Sequence, residues 1–185
     1  KKTETYFIDS AKKERLMNFV KKGLDEGRQA YFVCPLVEES DKLELKSAIE
    51  YSEELKNKYF RNYNVGLLHG RMKTDQKNEV MYRFREKEVQ ILVSTTVIEV
   101  GVNIPNATYM VIEDADRYGM AQLHQLRGRV GRGEHQSYCI LISDTKNEIA
   151  RERLKYMTKT ENGFEVAEKD MEFRGSGEVL GQRQH

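Results

Sequence analysis

The chain has 185 residues, 38% hydrophobic and 33% charged, with a formal net charge of +1. That is enough for one domain with a real core plus an appendage, and no apolar run approaches the roughly 20 residues that cross a bilayer. The near-neutral balance excludes a whole-molecule field for nucleic acid, so any such site must be local.

Taken in chain order, residues 5–8 predict a short extended piece. Ser10 then reads as the N-cap of a helix over 11–26, with Leu16, Phe19, Val20 and Leu24 on one side and Gly27 ending it. The apolar run 30–37 predicts a buried parallel strand, 38–41 a polar loop, and 42–60 a second helix. Residues 65–68 read as a strand stopped at His69-Gly70. Thr74 reads as the cap of a helix to about 87, with Val80, Met81 and Phe84 inward. Strands follow at 90–94, 108–112 and 137–143, with a turn or short helix at 95–101 and a helix at about 119–131. Alternating strands and helices predict an α/β fold, a parallel sheet with helices on both faces. His69, Thr95, Asp114 and Ser143 each follow a strand, so their loops share one edge, where such sheets bind ligands. Residues 145–159, opened by a capping box at Thr145 and Glu148, and 164–172 read as a helical hairpin. Residues 174–185 read as a Gly-rich loop. The domain boundary therefore falls between 1–144 and 145–185.

The most informative stretch is 125–132, QLRGRVGR, which packs three arginines and two glycines into eight residues. At about 100° per residue, Gln125, Arg129 and Arg132 would fall on one helical face, with Leu123, Leu126 and Val130 nearly opposite. Two permanently charged forks aimed at one spot suit a polyphosphate, and Gly128 would let an anion approach the backbone. The alternative is a solvated basic helix. A phosphate cradle of the form G-x-x-x-x-G-K-[ST] is absent, so Glu113 and Asp114 after the 108–112 strand read as loop or packing acids rather than magnesium ligands. The chain thus offers arginines fit to stabilise phosphate and nothing to hold a nucleotide alone, which fits half a site across a cleft. Cys34 and Cys139 sit inside apolar runs and read as buried reduced thiols, consistent with a reducing cytoplasm. No ligand spacing points to a metal site. No signal-peptide pattern opens the chain, and its start at Lys1-Lys2-Thr3 without methionine suggests an excised fragment.

Residues 31–40 (YFVCPLVEES), 67–72 (LLHGRM), 91–107 (ILVSTTVIEVGVNIPNA) and 122–133 (QLHQLRGRVGRG) resemble, in order, the second-half motifs of superfamily 2 helicases. Residues 172–185 (EFRGSGEVLGQRQH) resemble the translocation motif of the RecG branch, shared with transcription-repair coupling factors. The resemblance implies a RecA-like second motor domain followed by a translocation hairpin and loop. It implies use of ATP and Mg2+, bound mainly by a missing first motor domain. It also implies an ATP-dependent DNA helicase that remodels branched double-stranded DNA, working with amino-terminal motor and wedge domains of the same protein and with single-stranded DNA-binding protein. The setting implied is cytoplasmic, bacterial and nucleoid-associated, without a membrane.

By the same resemblance, Arg129 and Arg132 reach the nucleotide phosphates, Arg132 as the arginine finger, with Gln125 beside them. Gly101 and Asn103 lie near the ribose, although Asn103 stands where the family often has aspartate. His69, Gly70, Arg71, Thr95 and Thr96 match turns that contact the nucleic-acid backbone. Read alone, the two threonines serve equally as caps, and His69 as a structural histidine. Arg174 and Gln184 match the residues that couple ATP turnover to duplex movement. The alternatives are a coupling-factor domain, a non-catalytic nucleic-acid-binding module of RecA-like fold, and a flavodoxin-like regulator, for which Asp114 is the sole strand-end aspartate offered.

Overall fold

The computed structural model describes residues 2–35, 40–95 and 103–183, and for 41 and 176–183 the description is of the backbone. Gly101, Thr96 and Gln184 lie outside the described residues, as do positions 36 and 37 of the expected 30–37 strand.

Six strands form one parallel sheet: β1 (Glu4–Ile8), β2 (Gln29–Val33), β3 (Val65–Leu68), β4 (Ile91–Ser94), β5 (Ala107–Ile112) and β6 (Tyr138–Ile142). Their spatial order is β1-β6-β5-β2-β4-β3, and every pairing is parallel. The central strands β2, β4 and β5 are buried along their whole length because helices cover both faces. Side chains alternate between two cores with the strand period of two. Ala30, Phe32, Ile91, Val93, Val111 and Ile140 face one side, under α1 (Lys13–Asp25) and α2 (Asp41–Glu54). Tyr31, Val33, Leu92, Met110, Ile112 and Leu141 face the other, under α3 (Thr74–Arg85), α4 (Met120–Arg127), α5 (Glu148–Met157) and α6 (Gly163–Arg183). This is the parallel α/β sheet with helices on both faces that the sequence predicts, and it agrees with the RecA-like architecture that the resemblance implies.

Several boundaries differ from the sequence reading, each for a local reason. Asp9, not Ser10, caps the first helical turn by accepting from Ala11 N at 3.0 Å, while Ser10 N donates to Asp144 Oδ1 at 2.8 Å. Thr74 is the first helical residue of α3, and the cap is Lys73. Asn147 caps α5, with its Oδ1 accepting from Ala150 N at 2.9 Å. The helix after Ser40 loosens into a π-helical turn over Leu55–Tyr59. Phe19 is 40% exposed, held edge-on to Tyr109 and Tyr138 rather than buried with Leu16 and Val20.

Two larger differences bear on function. α4 stops at Arg127, so Arg129 and Arg132 are not on the helix whose face was to hold them. Gly128 is its C-cap and Gly131 takes φ +84°, a left-handed conformation that ends any continuation. The expected loop at 174–185 is instead helical as far as Arg183, because α6 runs unbroken through the glycines for 21 residues. Its first half is anchored by buried Val166 and Asp170, and it carries Lys169–Glu172 and Arg174–Asp170 ion pairs at helical spacing.

Candidate functional site

α4 begins just beyond the carboxyl end of β5 and runs back against the strand direction. Its eight residues cover about 12 Å, so the turn that follows reaches the opposite edge of the sheet. Three contacts fix that turn there. Gly131 N donates to Ser137 Oγ at 2.9 Å, just ahead of β6. A Cβ at Gly131 would lie 2.5 Å from Thr3 Oγ1, just ahead of β1, and one at Gly133 would lie 2.6 Å from the Pro105 carbonyl oxygen, just ahead of β5. The glycines of this motif are therefore required by close packing and a left-handed bend, besides any access they give to an anion. The arginines lie at the amino edge, not the carboxyl edge where parallel sheets usually bind ligands.

Gln125 on α4 and Arg132 in the turn are exposed, and Arg129 in the turn is half-buried. Arg132 Nε donates to Gly128 O at 3.0 Å, which holds the stem and leaves the rest of the fork outward. Burial raises the Tyr31 hydroxyl to about 12, and the positive charges of Arg129 and Arg132 act against that shift. Exposed Asn103 lies two residues from Pro105 and shares this edge. The donor set of two guanidiniums, an amide from Gln125 and an amide from Asn103 fits phosphate and hydroxyl oxygens of a nucleotide. Among the described residues no group of His, Cys, Asp or Glu could hold a metal ion.

Arg127 is the functional residue that the motif reading passes over. It is 4% exposed, its Nη1 donates to Met157 O at 2.6 Å and Thr5 Oγ1 at 3.3 Å, and its Nη2 lies 3.3 Å from His124 Nδ1. Met157 ends α5, so Arg127 fastens the arginine turn to the α5–α6 pair. The signal was present: Arg127 follows Leu123 by one helical turn, on the side that Leu123 and Leu126 bury. His124 adds a second fastening, since a Cβ at Gly163, the first residue of α6, would approach its Nε2 to 2.9 Å.

The carboxyl edge carries the other set. β3 and β4 end side by side, with Leu68 opposite Ser94 and Thr95 N donating to Leu68 O at 3.3 Å, so His69 and Thr95 emerge together. His69 is buried and its Nδ1 accepts from Arg71 N at 3.0 Å. The histidine thus organises the turn that leaves Gly70 and Arg71 exposed. Thr95 is 4% exposed. Glu113 and Asp114 take packing roles as expected. Buried Glu113 pairs with Lys13 at 2.6 Å, and Asp114 sits at φ 48°, its carboxyl raised by burial and then by Asp116. Burial likewise pushes the thiols of Cys34 and Cys139 up to about 12, so both are inert structural cysteines. In the tail, Arg174 Nη2 pairs with Asp170 Oδ2 at 2.9 Å, and Asp170 Oδ1 also lies 3.8 Å from Arg153 of α5.

Residues 11–134 match the family model described as the helicase conserved C-terminal domain. The chain belongs to this family. The helicase C-terminal domain is 54% identical over 184 residues to the ATP-dependent DNA helicase RecG of Bacillus subtilis, and 50% identical over 180 residues to that of Synechocystis. These alignments take in 100% and 97% of the chain but 27% and 22% of the relatives, so it spans about a quarter of their length. It overlays a solved structure of RecG bound to a three-way DNA junction with a TM-score of 0.81 and 43% identity, covering 97% of this chain and 23% of that one. Dbp5 from yeast, bound to RNA and ADP BeF3, shares the fold of the helicase C-terminal domain, with a TM-score of 0.64 at 18% identity over 92% of this chain and 45% of that one.

Proposed function

We propose that this chain is the second motor module of an ATP-dependent DNA helicase that remodels branched double-stranded DNA. The observation that carries the reading is the division of the two polar sets between opposite ends of one rigid sheet. Arg129, Arg132, Gln125 and Asn103 face one edge, and the His69–Gly70–Arg71 turn with Thr95 faces the other. A module built this way can sense a nucleotide at one end and hold a nucleic-acid backbone at the other.

Arg132 is the finger that stabilises charge on the transferred phosphoryl group, and Arg129 holds the neighbouring phosphate oxygens. Gln125 orients the arginines, and Gly101 and Asn103 line the ribose side. Arg71, Gly70 and backbone N–H groups near Thr95 and Thr96 hold DNA phosphates, with His69 as the organiser of the turn. Bound ATP, with its Mg2+, supplies the phosphoryl group, and both are assigned to a first motor module of the same protein. Arg174 and Gln184 couple closure of the cleft to duplex movement, through a hairpin that Arg127 and His124 fasten to the arginine turn. Amino-terminal wedge and motor domains, branched DNA and single-stranded DNA-binding protein are the partners proposed, with the protein working in the cytoplasm at the nucleoid.

In the longer polypeptide, Arg132→Ala is expected to lower steady-state ATP turnover about a thousandfold while leaving the fold intact. Arg174→Ala in the same assay is expected to retain hydrolysis and lose unwinding of a synthetic fork. Near-normal turnover in Arg132→Ala would overturn the finger assignment, and equal loss of both activities in Arg174→Ala would overturn the coupling role.

A further inference from the structure

The arginine turn and the hairpin meet β1 through side chains, Arg127 at Thr5 Oγ1 and Arg151 over the Phe7 ring, and among the described residues neither pairs with its outer backbone edge. This strand ends the sheet and pairs with β6. Glu4 N donates to Ser137 O and Ile8 O accepts from Ser143 N, each at 3.0 Å. Amides of a parallel strand point to alternate sides, so Glu4, Tyr6 and Ile8 are turned to β6. The N–H and C=O groups of Thr5 and Phe7 therefore point away from the sheet. A bare edge of this kind is a template for another strand.

The surroundings of the edge are shaped and charged. A cavity of about 400 Å³ runs beside residues 5–9 and is rimmed by Lys12, Arg151 and Lys155. Another of about 550 Å³ continues along residues 2–6. Arg151 is held over the Phe7 ring at 5.3 Å, and Lys155 meets Glu152 at 3.5 Å in a solvent-exposed pair that exchanges readily. On the α1 side of the strand a third cavity, of about 460 Å³, has an apolar floor of Ile8, Leu16, Phe19, Tyr138 and Ile140, with Glu4, Lys12 and Arg15 at its rim. Tyr6 and Phe19 beside it are 47% and 40% exposed. Lys12, Arg15, Arg151 and Lys155 line these cavities as four cations against two acids, Glu4 and Asp9, so the edge is net basic.

We infer that the β1 edge docks an extended acidic peptide segment of another protein, which adds a strand to the sheet. The Thr5 and Phe7 backbone groups hold the segment. Its alternate side chains divide between the apolar cavity on the α1 side and the basic rim on the α5 side. Charge complementarity selects an acidic segment, and the strand period selects acidic and apolar residues in alternation.

The test measures fluorescence anisotropy of a labelled synthetic peptide alternating glutamate and valine, against a lysine-and-valine counterpart. It is titrated at low ionic strength with the 185-residue chain and with the longer polypeptide that carries it. Saturable binding of the glutamate peptide to both is expected. Thr5→Pro removes an outward N–H that the ladder does not use, so the sheet tolerates it and binding is expected to fall about tenfold or more. Thr5→Val, which removes the hydroxyl alone, is expected to bind as the original does. The Lys12→Glu, Lys155→Glu double variant is expected to lose the glutamate peptide and gain the lysine peptide. Absence of saturable binding, or equal binding by Thr5→Pro, overturns the inference. So does binding by the chain but not by the longer polypeptide, which assigns the edge to a segment of the same protein. A dimer that Thr5→Pro dissociates, with no peptide binding, assigns it to a second copy and overturns it equally.

Discussion

Arg127 and Arg132 stand in one short motif and do opposite things. Arg132 is exposed and held by Nε on Gly128 O, whereas Arg127 is 4% exposed with its guanidinium on the last carbonyl of α5. Burial lowers the pKa of Arg127, but an arginine remains charged, so the buried cation depends on its carbonyl and hydroxyl partners. Arg127→Met keeps the volume and leaves the Met157 carbonyl without its donor. It is expected to destabilise the chain by about 2–4 kcal/mol in urea unfolding. Arg132→Ala is expected to stay within about 0.5 kcal/mol, as for an exposed side chain. Equal effects would show that Arg127 is not the clamp described. The sequence held this distinction, because Arg127 repeats the helical position of Leu123 while Arg132 lies past two glycines. The fastening of Arg127 to Met157 and Thr5 was not legible, since it joins distant positions through tertiary packing alone.

Most strands were legible to within a residue because covered parallel strands are continuous apolar runs, as in 91–94 and 107–112, but the run expected over 30–37 overshot, since β2 ends at Val33 and Cys34 and Pro35 lie beyond it. Helix ends were less so. A helical wheel extended over 119–131 put Arg129 and Arg132 on a face, but Gly131 at φ +84° and the close approach of Thr3 stop the helix first. In α6 the reverse holds: glycines at 175 and 177 suggested a loop. Each costs a helix about 1 kcal/mol relative to alanine, yet the docked first half carries the helix through them. That docking has a pH dependence. His124 packs against the start of α6, and burial, followed by Arg127, lowers its pKa below the ordinary 6.5. A histidine lowered on folding favours the neutral form, so its packing is fully present above 6.5 and weakens as pH falls through that value. Hydrogen exchange in α6 is therefore expected to be faster near pH 5.5 than near pH 7.5, after correction for intrinsic rates. His124→Asn should flatten the difference. Unchanged pH dependence in that variant would remove His124 from the coupling.

The described strands form one continuous parallel sheet, and on the proposed reading this sheet carries the action of one polar set to the other. Gln29 is central to it. The residue is 1% exposed at the start of β2, the strand between β5 and β4. Its Nε2 donates to Phe84 O at 2.6 Å and Val89 O at 2.8 Å, and its Oε1 accepts from Asn106 Nδ2 at 2.9 Å. One amide thus joins the end of α3, the entry to β4 and the entry to β5. Leucine of similar volume would leave the buried Val89 carbonyl without this donor and take one bond each from Phe84 O and Asn106 Nδ2, which keep Lys87 N and Gly27 O. Gln29→Leu is expected to cost about 2–4 kcal/mol. In the longer polypeptide, at temperatures where the variant stays folded, ATP turnover per folded molecule should be near normal, because Gln29 touches neither Arg129, Arg132 nor the His69 turn. Loss of DNA-stimulated turnover with basal turnover intact is the informative exception. It would place Gln29 on the route between the two ends of the sheet and not merely in its scaffold. Paired urea unfolding and DNA-stimulated hydrolysis separate the two outcomes.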